Sequence, residues 1–139
     1  MARTSVVMIT DGAALDFTGS PVKADGYYGF SDGMHTVSFH LNDFRGRIYI
    51  EATLVDTEAN ITATDWFPIQ MQVDQDYIQH PIDAENLLGG GTNGDTTVEA
   101  FTFTGNFVYL RARIDRSSYI AGPPALNTVG TVDKILLNI

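Results

Sequence analysis

The sequence predicts an all-β protein: an antiparallel β-sandwich, jelly-roll-like, of about eight strands. Three observations lead there. Apolar residues alternate with polar ones and rarely recur at helical spacing. The alternating runs are short, and Gly, Asp, Asn and Pro separate them, which is turn chemistry. The chain also repeats a phrase, FRGRIYIEATL at 44–54 and FTGNFVYLRARI at 103–114. Both copies run from Phe and Gly to an apolar residue, Tyr, an apolar residue, a charge, Ala and an apolar residue, with one residue inserted after the second glycine.

The predicted strands, in order, are SVVMI (5–9), YYGF (27–30), HTVSFHL (35–41), GRIYIEATL (46–54), WFPIQMQV (66–73), VEAFTFTG (98–105), NFVYLRARI (106–114) and TVDKILLNI (131–139). Short, alternating runs bounded by turns are the pattern of sandwiches and barrels. Pro68 has no N–H to give a ladder, so 66–73 is expected at an edge or at a bulge. Segments 74–95 and 115–130 read as long connections, the first with a glycine-rich tip and the second stiffened by Pro123 and Pro124.

Alternation assigns faces to the repeated phrase. Ile48, Ile50, Ala52 and Leu54 form one apolar face, and Val108, Leu110, Ala112 and Ile114 form its counterpart. Both strands are expected at central positions, in facing sheets, with Ala52 and Ala112 leaving room for larger neighbours. The opposite faces carry Arg47, Tyr49, Glu51 and Thr53 in one copy and Phe107, Tyr109, Arg111 and Arg113 in the other. Arg45, Arg47, Arg111, Arg113 and Arg116 make up five of the eight basic residues. Arg and Tyr dominate the energetics of interfaces. Tyr49, Phe107, Tyr109, Arg111, Arg113 and Arg47 are therefore the candidate interface. As exposed groups, Arg111 and Arg113 would contribute little to folding. The alternative is that Glu51 pairs with an arginine across strands and the aromatics stack on a solvated sheet.

Composition narrows the function classes. The 139 residues are read as one domain, 1–139, with 44% hydrophobic content and enough chain for a sizeable core. The net charge of −9 argues against nucleic acid as a partner, which needs a basic footprint. No apolar run approaches a membrane span, and the N-terminal stretch is too short for a signal peptide, so neither membrane nor targeting is expected. With no cysteine there is no thiol nucleophile and no thiolate-bound zinc. His35 and His40 fall on opposite faces of one strand, and His80 lies in a loop, so no metal-ligand spacing is formed. Acidic turns such as TNGDTT lack the spacing of a calcium loop. There is no nucleophile elbow and no phosphate loop. The expectation is a non-enzymatic protein with no catalytic residues, no metal and no cofactor.

The stretches DGYYGFSDGMHT, F-x-G-x-I-x-I-E-A-T-L, DWFPI and the terminal GTVDKILLNI give the chain a further character. Across residues 21–139 it resembles β-sandwich virion structural proteins of tailed bacteriophages, the contractile-tailed cyanophage-like group. The resemblance implies a place in the phage particle and other virion proteins as partners. A homo-oligomer or symmetric array is expected with it. The motifs do not fix the station in the particle, and capsid decoration or cement is the leading role because decoration proteins are often single small domains. Neck, tail or baseplate is one alternative. A carbohydrate-binding adhesion module, using Trp66, Tyr27, Tyr28 and Tyr119, is another.

Overall fold

The computed structural model describes residues 5–12, 16–29, 33–72, 75–80, 94–116 and 130–138. Two antiparallel sheets pack face to face. The first has the order β1-β10-β4-β8, from β1 (Ser5–Gly12), β10 (Thr131–Asn138), β4 (Met34–Phe44) and β8 (Asp95–Thr104). The second has the order β2-β9-β5-β6, from β2 (Asp16–Thr18), β9 (Tyr109–Asp115), β5 (Gly46–Thr53) and β6 (Phe67–Pro68). Two short strands join it: β3 (Val22–Lys23) pairs with β9, and β7 (Ile78–His80) pairs with β5. With β3 and β7 set aside, the eight remaining strands in chain order lie 1-8-3-6 in one sheet and 2-7-4-5 in the other, which is the strand order of a jelly roll.

Alternation builds most of the core, with a register shift between Val132 and Lys134 resetting it in β10. Along β4, His35, Val37, Phe39 and Leu41 turn inward and are buried, while the residues between them face out. Val132, Ile135 and Leu137 extend that inner face from β10, and Phe103 extends it from β8. Ile48, Ile50 and Ala52 of β5 and Leu110, Ala112 and Ile114 of β9 oppose them from the second sheet.

The two copies of the repeated phrase are not in facing sheets. β5 and β9 are hydrogen-bonded neighbours, paired Ile48 with Ile114, Ile50 with Ala112 and Ala52 with Leu110. The antiparallel register sets each alanine beside a large residue of the other copy, so the inner face is level. The glycine ahead of each copy has a steric reason. Gly46 has φ +146, and a Cβ there would lie 2.7 Å from Arg116 Cγ. A Cβ on Gly105 would overlap the Phe107 ring.

Four further expectations need correction. Residues 25–28 form a one-turn helix, α1 (Asp25–Tyr28), instead of the strand expected at 27–30. The strand expected at 66–73 shortens to β6, which does lie at the edge that Pro68 requires. Leu54 lies past the end of β5 and is 63% exposed. β9 starts at Tyr109, so alternation does not reach Phe107, which packs inward against His35 and Phe103. The glycine-rich tip, Pro123, Pro124 and Tyr119 lie outside the described residues.

Candidate functional site

The outer face of the β5–β9 pair gathers the arginines. Glu51 stands directly opposite Arg111, and Arg113 stands diagonal to it, opposite Tyr49. The Glu51 carboxylate takes both: Arg111 Nε donates to Oε1 at 2.9 Å, and Arg113 Nε donates to Oε2 at 3.2 Å. The cross-strand alternative drawn from the sequence is therefore the arrangement present. Glu51 is buried, with its side chain 10% exposed, so the two guanidiniums satisfy a carboxylate that water barely reaches. Arg113 also approaches Asp115 at 3.7 Å.

Aromatic rings continue the series on both sides. The Arg111 guanidinium lies 4.3 Å from the Trp66 ring centre, and that of Arg113 lies 4.0 Å from Tyr49. Tyr49 packs on Tyr77 at 5.8 Å, and Arg47 caps Tyr77 at 4.0 Å. Arg47 Nε then donates to Gln79 Oε1 at 2.9 Å. The result is a ladder across the sheet: Trp66, Arg111, Glu51, Arg113, Tyr49, Tyr77, Arg47. Cation–π contacts of this kind contribute about 0.5–1 kcal/mol each at exposed sites and hold both partners in fixed rotamers.

The six sequence-predicted interface residues divide. Tyr49, Arg47, Arg111 and Arg113 belong to the ladder. Tyr109 is on the same face but only 5% exposed, with Tyr27 packed on it at 5.6 Å. Phe107 faces the core. Of the other clustered arginines, Arg116 turns inward, fully buried over the Phe44 ring, and donates to the Gly130 carbonyl at 2.8 Å. Burial pushes its guanidinium down to about 10, which still leaves it a cation at neutral pH. Trp66 and Tyr77 were not in the predicted set. Both come from the segment between β5 and β8, and no periodicity indicates that this segment folds back over β5. The ladder is also less basic than the arginine count suggests. Arg111 and Arg113 are paired with Glu51 and Asp115, so with Arg47 the net charge of these five groups is +1.

Two histidines are buried and structurally committed. His35 Nε2 accepts the backbone N–H of Asp25 at 3.2 Å, and its ring stacks on Phe103. His80, 1% exposed, joins the sheets: Nδ1–H donates to Asp95 of β8 at 2.7 Å, and Nε2 lies 3.1 Å from Glu99 Oε1, poorly aligned for a hydrogen bond. Removing the ring deletes the hydrogen bond to Asp95 and empties a buried position between the sheets. His80→Ala is therefore expected to cost about 1–3 kcal/mol in urea unfolding. A melt unchanged within error would mean that the link is idle.

Among the described residues no set of three His, Cys, Asp or Glu side chains is placed to hold a metal ion. A shallow depression of about 250 Å³, lined by Asp16, Phe17, Thr18, Arg113, Ile114 and Asp115, lies beside the ladder. It falls below the size range usual for small-molecule sites. Comparison with protein-family models, with curated proteins and with solved structures found no match for this chain.

Proposed function

We propose that this protein is a non-enzymatic structural component of a phage particle, a capsid decoration or cement protein that docks on another virion subunit through the outer face of β5 and β9. The observation that carries the docking face is the ladder from Trp66 to Arg47. Its side chains are held by one another before any partner arrives, so less rotamer entropy is lost on binding. Arg, Trp and Tyr are also the residue types that concentrate binding energy. The phage setting draws on the resemblance of the DGYYGFSDGMHT and GTVDKILLNI stretches. It also draws on fold-level analogy, since jelly rolls recur in viral capsid and lectin domains. The lectin-like reading gains less from the site, because one face of Trp66 is already taken by Arg111.

The test is electron microscopy of particles assembled with the wild-type chain and with Arg47→Ser/Arg113→Ser. This variant keeps Arg111 on Glu51 and so keeps the fold. Wild-type density on the capsid is expected, as is at least a tenfold lower occupancy for the variant, with the deficit largest at low salt, where charge attraction is least screened. Full occupancy of the variant would remove this face from the docking contact. Density confined to the neck, tail or baseplate would overturn the decoration role.

A further inference from the structure

We infer that β8 is a self-association edge: two copies of this chain pair β8 against β8, antiparallel about a two-fold axis at Ala100, and join their first sheets into one. This concerns a different surface from the docking face and does not rest on the reading proposed for it.

The free edges of the described fold are unequal. A sheet edge presents unpaired N–H and C=O groups, and proteins blunt such edges with short strands, proline, lysine or bulges. In the second sheet the outer strands β2, β3, β6 and β7 have only two or three residues, and β6 contains Pro68. In the first sheet β1 is broken by a register shift between Val7 and Ile9. β8 is long, and its ten residues, DTTVEAFTFT, contain no proline, lysine or arginine. Its two acids point inward, and its one register shift against β4, between Leu41 and Phe44, lies at its Asp95 end. It pairs in unbroken register with β4 from Thr97 to Thr104, and among the described residues no strand pairs with its other side.

The local charge distribution leaves this edge open to a second copy. Two bodies of net charge −9 repel unless they meet where the carboxylates are absent. The two acids of β8, Asp95 and Glu99, both turn inward onto His80. Its outward residues are Thr96, Val98, Ala100, Thr102 and Thr104, all exposed, with Val98 at 64%. The neighbouring outward positions on β4 are Thr36, Ser38 and His40, again without a carboxylate.

Register selects the axis. Directly opposed residues of an antiparallel pair share a face, so the two-fold must pass through a residue. Two centres use nearly the whole strand. Centring on Glu99 would set two carboxylates against each other, which is unfavourable. Centring on Ala100 sets Val98 against Thr102 of the second copy and Thr96 against Thr104, and Glu99 then meets Phe101. No like charges are opposed.

The chain contains no cysteine, so a single introduced thiol reports the contact without background. Ala100→Cys under mild oxidation is expected to give a covalent dimer in high yield. Val7→Cys, exposed on the opposite edge of the sheet, should give little. Sedimentation of the full-length wild type at about 100 µM, above the micromolar constants of modest interfaces, should show a dimer. Ala100→Glu should raise the dissociation constant at least tenfold with an unchanged circular dichroism spectrum, because it sets two carboxylates on the axis. A wild type that stays monomeric at that concentration overturns the inference. So does a dimer that Ala100→Glu leaves intact, or equal crosslinking by the two cysteine variants.

Discussion

Leu110→Ala and Ile50→Ala are each expected to lower the free energy of unfolding by about 2–5 kcal/mol, the range for emptying a packed core site. The pairing of the repeated phrase explains why little relaxation will soften the loss. Leu110 sits across from Ala52, and Ile50 sits across from Ala112. All four are fully buried. Either truncation leaves two alanines side by side on the buried inner face. Tyr49→Ala is expected to cost less than half as much. Tyr49 is only partly buried, and its contacts are Arg113 and Tyr77 on the outer face. Urea melts of the three variants check the order. Equal losses at Ile50 and Tyr49 would mean that the faces are exchanged, since a slip of one residue moves every side chain to the other side.

The inner face was readable because period-two alternation and burial agree along most of β4, the first half of β5 and β9; in β10 a register shift between Val132 and Lys134 breaks the period. The strand order of a jelly roll was anticipated only in outline, since alternation assigns faces and not neighbours. That β5 pairs with β9 follows from complementarity between distant segments, and a linear pattern cannot register it. The short strands β2, β3 and β7 escaped notice because two or three residues carry no period. Residues 27–30 misled for the opposite reason. Tyr27 and Tyr28 are good strand formers, yet Gly26 packs so closely on the Asn106 and Phe107 carbonyls that tertiary contact overrides propensity. At the site, Arg47, Tyr49, Arg111 and Arg113 were legible from their shared face. Trp66 and Tyr77 were not, because a fold-back of the intervening segment supplies them. Tyr109 has the right alternation but is covered by Tyr27, and sequence spacing does not reveal such cover.

Arg111→Ser/Arg113→Ser is expected to destabilise the fold by about 3–5 kcal/mol, as is usual when one side of a buried ion pair is deleted. This reverses what exposed arginines would do. Both donate to Glu51, whose side chain is 10% exposed, so their joint removal strands a desolvated carboxylate in the centre of the second sheet. Either single change should cost far less, because the remaining guanidinium still holds the acid. The two losses are thus expected to be strongly non-additive, as residues sharing one partner are. Glu51→Leu should be the mildest disruption of the set. The guanidiniums it frees are 21% and 31% exposed and reach water, and Arg111 keeps Trp66 while Arg113 keeps Tyr49 and Asp115. Adding Glu51→Leu to the double variant should therefore restore a large part of the lost stability by removing the stranded charge. Thermal or urea unfolding of these variants decides it. If the double variant melts with the wild type, or if the triple variant is no more stable than the double, Glu51 is not the group that the arginines serve, and the ladder is held by its aromatic contacts alone.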